Sequence, residues 1–181
     1  MASVYDVANF FIDTANKSED DSVSNLKLNK LLYFAQGAFL ARTGRKLFQD
    51  SIYAWEYGPV VPGIYRKYSS YEKRPIETVD ESYNANSFTE EELTVLIDVM
   101  REMGQYTGSK LVSLTHLPNT PWSIVHEKGR QNLIDTSSMK EYFTRNPIKE
   151  YSLPYGIEHI KALPKEWYEP SEDDEWKAYL K

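Results

Sequence analysis

One continuous stretch, residues 25–71, constrains this chain more than any other part of it. Apolar residues recur there at helical spacing over several turns, and further apolar residues beside the main stripe widen the arc. A helix with a wide apolar arc lies in the centre of a domain, because it must be covered on most sides. The spacing predicts a central helix over about 25–43, capped by Ser24 and ended by Gly44 in the left-handed conformation.

Other short elements are predicted around this central helix. Capping residues and apolar spacing predict helices over residues 3–17, 62–68, 89–103, 109–116, from 120 onward, and 138–143. A short strand is predicted over 51–57, ended by Gly58-Pro59, and a second one begins at 74–76. The fold class that follows is mainly α with a small β element (α+β), a compact multi-helix domain.

The composition of the chain changes after Pro147. Prolines recur, acidic residues cluster between 169 and 175, and aromatic residues are mixed among them. We therefore predict a helical domain over 1–147 and an acidic, aromatic-rich C-terminal extension over 148–181. Such an extension either packs against the domain or becomes ordered on a partner.

Charge and cysteine content exclude several classes of protein. The net charge of −6 argues against binding to nucleic acid, because proteins that bind it neutralise many phosphates with clustered lysine and arginine. The absence of cysteine excludes disulfides and thiolate chemistry. No apolar run approaches the ~18 residues of a membrane span. We expect a soluble, cytoplasmic protein without a membrane partner.

Catalytic motifs are not found in the sequence. There is no GxSxG, GxGxxG, Walker A or HExxH pattern. His116 and His126 approach each other if the loop between them folds back, but no third nearby ligand is apparent, so packing at a helix end is the simpler interpretation. We predict no catalytic residue, no metal site and no cofactor, and hence a protein that is not an enzyme.

The 14 tyrosines indicate either a half-buried shell around the core or a binding surface. A line of side chains with polar tips on the central helix, Lys30, Tyr33 and Gln36, is either the solvated edge of a core helix or a contact surface. Trp55 and Tyr57 share one face of the predicted strand, where they either cap the core or form the edge of a groove for a partner.

The aromatic residues of the C-terminal extension also allow two interpretations. They are anchors of a solvated extension, or parts of an acidic segment that covers a basic cleft on a partner. The residues predicted to face a partner are Lys30, Tyr33, Gln36, Trp55, Tyr57, Trp167, Tyr168 and Trp176.

Several spaced runs resemble the Panacea antitoxin domain family, which includes SocA-type and phage GepA-like proteins. They cover roughly residues 4–143 in the family's order: Tyr5–Ala8, Leu26–Gly37, Leu47–Phe48, Ala54–Pro62 with Tyr65, Leu114–His116, and Pro121–Trp122. The resemblance implies a mostly helical domain with a small β element and without catalytic residues.

The resemblance also implies a role in a toxin–antitoxin system. Family members are typically encoded beside a toxin gene, often on phages, and neutralise a cognate protein toxin by direct binding. In the SocA-type alternative the antitoxin is a proteolytic adaptor that delivers the toxin to a protease, here expected to be of the AAA+ class. A third alternative, a DNA-binding regulator, is disfavoured by the net charge and by the lack of a helix-turn-helix spacing.

Overall fold

The structure, a computed structural model, describes residues 1–18, 22–127 and 132–151. The helices in this part of the chain are α1 (Val4–Asn16), α2 (Asn25–Thr43), α3 (Pro62–Lys67), α4 (Glu90–Met103), α5 (Gly108–Thr115), α6 (Pro121–Glu127) and α7 (Thr136–Arg145). Three short strands, β1 (Tyr53–Trp55), β2 (Gly58–Val60) and β3 (Asn132–Leu133), form one antiparallel sheet in the order β2-β1-β3. The predicted fold class is confirmed.

Helix α2 is the element on which the rest of the domain packs. Helices α1, α3, α4, α5 and α7 and strand β2 all contact it, which explains why its residues from 27 to 40 are buried on every side. Ser24 caps its first turn by accepting a hydrogen bond from the amide of Lys27, and Gly44 ends it with φ of 72°. Both predicted boundaries are confirmed.

The strand prediction was wrong at Gly58-Pro59, which does not end the β structure. These residues begin β2, which pairs with β1 so that Trp55 lies opposite Gly58 across a tight turn. Gly58 has φ of 98°, a conformation that residues with a Cβ rarely adopt, and this allows the chain to turn back at that point. The Gly-Pro pair therefore makes a hairpin instead of a break.

Two further local predictions need correction, and one strand was missed. Helix α7 begins earlier than predicted, because Asp135 and not Ser138 caps it through the amides of Ser137 and Ser138. Strand β3 was not predicted, and the predicted strand at 74–76 is only a single bridge between Ser24 and Pro75. In contrast, the predicted capping box of Thr89 and Glu92 at the start of α4 is confirmed.

Residues 148–151, the first four of the predicted extension, pack against α2 and α4. Ile148 is buried, and its carbonyl accepts a hydrogen bond from Arg42. The amide of Tyr151 donates to Asp98, which also forms an ion pair with Arg42. The remainder of the predicted extension, residues 152–181, lies outside the described residues.

Candidate partner-binding surface

Aromatic side chains stand exposed on and beside the hairpin of β1 and β2. Tyr57, in the turn, is 66% exposed, and Tyr65 of α3 is 42% exposed. Tyr65 packs edge-to-face on the half-buried Trp55, with ring centroids 5.1 Å apart. Tyr53 shares the face of Trp55, and Leu133, which pairs with Tyr53, is 52% exposed. We call these five residues the hairpin face.

The inner side of the hairpin is fixed to the core. Ala54, which points away from the hairpin face, is fully buried. Three side chains bind the backbone of the hairpin or of Val61, the residue that directly follows β2. The indole N–H of Trp122 donates to the carbonyl of Trp55 over 2.8 Å, Lys30 Nζ donates to the carbonyl of Pro59 over 3.0 Å, and the amide of Val61 donates to Asn29 Oδ1 over 2.9 Å. The exposed aromatics are thus held on a rigid support.

The predicted polar line on α2 is not a surface. Lys30, Tyr33 and Gln36 are each at most 1% exposed, so none of them faces solvent in the free chain. The correction has a physical reason, since the polar tips of Lys30 and Gln36 bind backbone carbonyls and amides of segments that return over α2. Sequence spacing places a residue on a helix face but does not reveal which later segment covers that face.

Gln36 illustrates this role. Its Oε1 accepts hydrogen bonds from the amides of Leu47 and Phe48 at 2.9 and 3.2 Å, and its Nε2 donates to the carbonyl of Phe48 at 2.9 Å. Tyr33 instead packs its ring edge-to-face on Phe34 and Phe143, with centroids 5.4 Å away in each case. Both residues organise the interior of the domain.

Lys30 is a buried amine, and burial lowers its pKa from 10.5 to about 7. The unfolded chain therefore binds more protons than the folded chain between these two pH values, so the free energy of unfolding must rise as the pH increases through this window. We expect a rise of about 3 kcal/mol from pH 7 to 9.5, measured by urea denaturation.

Lys30→Met is the matched control for this prediction, because methionine fills a similar volume without an ionisable group. Its free energy of unfolding should lack the increase with pH that is attributed to Lys30. Measurements stop below pH 10 because burial raises the pKa of Tyr33, so the tyrosine would begin to oppose the effect. Equal pH slopes in the two proteins would contradict the assignment of a neutralised Lys30.

Two histidines flank one tryptophan beneath the hairpin. The imidazole of His116 is stacked on the indole of Trp122 at 3.7 Å and 7°, and His126 is stacked on it at 4.4 Å and 17°. Two imidazoles at such distances do not fit side by side on one indole face, so they lie on opposite faces. The indole separates the two histidines, and no group of three or more metal-ligating side chains occurs within the described ranges.

Some residues of this region were missed by sequence reasoning. Trp122 and His126 are separated by four positions in α6, a spacing that places them on one helix face and could have indicated their contact. Tyr65 and Leu133 offered no comparable signal, since their exposure depends on how α3 and β3 pack. The predicted tail contacts Trp167, Tyr168 and Trp176 lie outside the described part of the chain.

None of the described helices combines the length and apolar composition needed to traverse a bilayer. No solved structure matches the chain.

Comparison with protein families gives a match over the centre of the chain. The model of the family described as antitoxin SocA-like, Panacea domain, matches residues 28–123, a range that holds most of α2, the hairpin and Trp122. The chain is also 32% identical over 138 residues to Antitoxin SocA of Caulobacter vibrioides (strain NA1000 / CB15N), covering 70% of this chain and 72% of that protein. This chain belongs to the SocA-like Panacea antitoxin family.

Proposed function

We propose that the chain is the antitoxin of a toxin–antitoxin pair and that it neutralises a protein toxin by binding it directly through the hairpin face. Family membership supports the antitoxin role. The choice of surface rests on one observation, the exposed tyrosines and the half-buried tryptophan held on a hairpin that three buried side chains fix in place.

The chemistry of this surface suits a protein partner. Tyrosine and tryptophan are enriched at interfaces because they combine a large apolar area with a polar group and lose little conformational entropy on binding. The fixed backbone reduces the entropy lost on association, since the hairpin does not have to become ordered first. A toxin surface with an apolar centre and hydrogen-bonding groups around it would complement the hairpin face.

Tyr57→Ala tests this surface with little risk to the fold, because the side chain is 66% exposed. We expect the substitution to weaken toxin binding by roughly 2 kcal/mol, the loss typical of a central aromatic contact, which corresponds to about a 30-fold rise in Kd. Isothermal titration calorimetry with the purified toxin measures it.

Tyr106→Ala is the control for Tyr57→Ala, because Tyr106 is a partly exposed tyrosine in the loop after α4, outside the hairpin face. It should leave the Kd unchanged. If Tyr57→Ala and Tyr106→Ala bind the toxin as tightly as the natural chain does, the hairpin face is not the binding surface.

Co-expression tests the antitoxin role itself. The protein encoded beside this chain would be induced with and without it, with growth and the level of the tagged neighbour followed together. Rescue of growth with the neighbour recovered in a complex supports direct neutralisation. Rescue with disappearance of the neighbour would instead indicate the proteolytic adaptor, and the absence of growth arrest would contradict a toxin–antitoxin pair formed with that neighbour.

A further inference from the structure

The His116–Trp122–His126 stack is linked to the hairpin face by one hydrogen bond. Trp122 is 6% exposed, and its indole N–H donates to the carbonyl of Trp55, the last residue of β1 before the turn that carries Tyr57. A shift of the indole must therefore either break this hydrogen bond or move the start of the turn. Since indole N–H groups usually find a partner when buried, loss of the bond would be unfavourable.

The two imidazoles hold the indole from both sides. The nearly parallel rings at 3.7 and 4.4 Å restrict movement of Trp122 along the normal of its ring. His126 lies in the same helix as Trp122, whereas His116 directly follows α5 and reaches the stack from a separate helix. His116 is therefore the member of the stack whose displacement would free the indole.

The surroundings of His116 disfavour a charge. The Nε2 atoms of both His116 and His126 are buried without a hydrogen-bond partner among the described residues. Burial lowers the pKa of His116, and the nearby amine of Lys30 and the imidazole of His126 lower it further. The carboxylate of Glu56, in the hairpin turn, is exposed to solvent, so it offers little compensation.

One interaction opposes this effect. A protonated imidazole over the face of an indole gains cation–π attraction. The cost of leaving a buried charged donor unpaired is larger, and repulsion from Lys30 adds to it. Protonation should therefore push the His116 imidazole toward solvent and away from the stack.

We propose that Trp122 is the positioning residue of the hairpin face and that protonation of His116 releases it, so that toxin binding depends on the neutral form of this histidine. The claim that toxin binding depends on neutral His116 rests on the proposed function, whereas the coupling between His116 and the hairpin does not. The pKa of His116 is lowered, so the stacked state is fully populated above the ordinary histidine pKa of about 6.5 and is lost as the pH falls through the lowered pKa of His116.

The first test needs no toxin. Nuclear magnetic resonance of the full chain would follow the Cε1–H signals of the histidines, the indole N–H of Trp122 and the amide of Tyr57 from pH 7.5 to 5. We expect the indole and hairpin signals to shift with the midpoint of His116. In His116→Phe, which keeps a flat ring on the indole but cannot take up a proton, the part of these shifts that follows the His116 midpoint should vanish, and only the part that follows the titration of Lys30, which is bound to the hairpin carbonyl of Pro59, should remain.

The second test measures toxin affinity over the same pH range, with the protein encoded by the neighbouring gene as the probe. The natural chain should lose affinity several-fold on acidification, and His116→Phe should not. Trp122→Phe, which keeps the stacking but removes the indole N–H, should bind weakly at every pH.

The outcomes distinguish direct toxin binding from the coupling between His116 and the hairpin. A chain that does not bind the toxin at pH 7.5 contradicts direct binding, and the resonance experiment then decides the coupling alone. The inference is overturned if the indole and hairpin signals do not change as His116 titrates, or if they shift equally in His116→Phe. Full toxin affinity in Trp122→Phe would also overturn it.

Discussion

Replacing Asp98 by alanine is expected to lower the free energy of unfolding by about 3–5 kcal/mol, because it leaves a partly buried cation without its main partner. The Asp98 side chain is 1% exposed and lies 2.6 Å from Arg42 Nη1, whose own side chain is 19% exposed. Asp98 also accepts a hydrogen bond from the amide of Tyr151, which the substitution leaves unpaired. Globular domains have only about 5–15 kcal/mol of stability in total, so this loss would be large.

Glu150→Gln provides the matched control for Asp98→Ala. Glu150 also faces Arg42, at 3.6 Å from Nε, but its side chain is 78% exposed. Exposed ion pairs contribute about 0–1 kcal/mol, so this variant should unfold almost like the natural chain. Urea denaturation of both variants measures the difference. If Asp98→Ala were no more destabilising than Glu150→Gln, the Arg42–Asp98 pair would not stabilise the domain as its burial indicates.

The second large effect is expected where α7 packs on α2. Phe143 is 1% exposed and contacts the rings of Tyr33 and Phe34. Phe143→Ala should cost about 3–5 kcal/mol, the sum of lost apolar burial and the void that remains. Thermal and urea unfolding both report this loss.

Gly37 of α2 provides a second test of the packing between α2 and α7. A Cβ added to Gly37 would lie 2.1 Å from the ring of Phe143. Alanine favours a helix over glycine by about 1 kcal/mol, but forcing an extra methyl group into a filled core costs about 1–3 kcal/mol. Gly37→Ala should therefore destabilise the natural chain.

In the Phe143→Ala background, Gly37→Ala should instead raise the free energy of unfolding, because the ring that clashes is gone and the helix preference of alanine remains. The coupling between the two substitutions, obtained from a double-mutant cycle, should exceed 1 kcal/mol, about the size expected for residues in direct contact. Additive effects would contradict the close approach of α2 and α7 at this point.

The sequence predicted the central helix well because its signals are local. Wide apolar spacing, the cap at Ser24 and the glycine at 44 all act within α2 itself. The same spacing could not reveal that Lys30 and Gln36 are buried, since their hydrogen-bond partners come from residues 47, 48 and 59, which reach α2 only in the folded chain.

The β structure also depends on contacts between distant residues, which local sequence patterns do not reveal. The residues of β1 have clear strand character, but β3 has only two residues and exists because it pairs with β1. Gly58-Pro59 looks like a break in the sequence because neither residue favours a central strand, yet β2 lies at the edge of the sheet, where proline is tolerated. Trp55 and Tyr57 could be selected from the sequence, whereas Tyr65 and Leu133 required the folded chain.

The most direct test of direct binding uses two purified proteins and nothing else. This chain and the protein encoded by the neighbouring gene would be mixed and analysed by size-exclusion chromatography with light scattering, followed by calorimetry. We expect a stable stoichiometric complex that Tyr57→Ala weakens and Tyr106→Ala does not. If no complex forms between the purified proteins while the chain still protects cells, neutralisation by direct binding is contradicted.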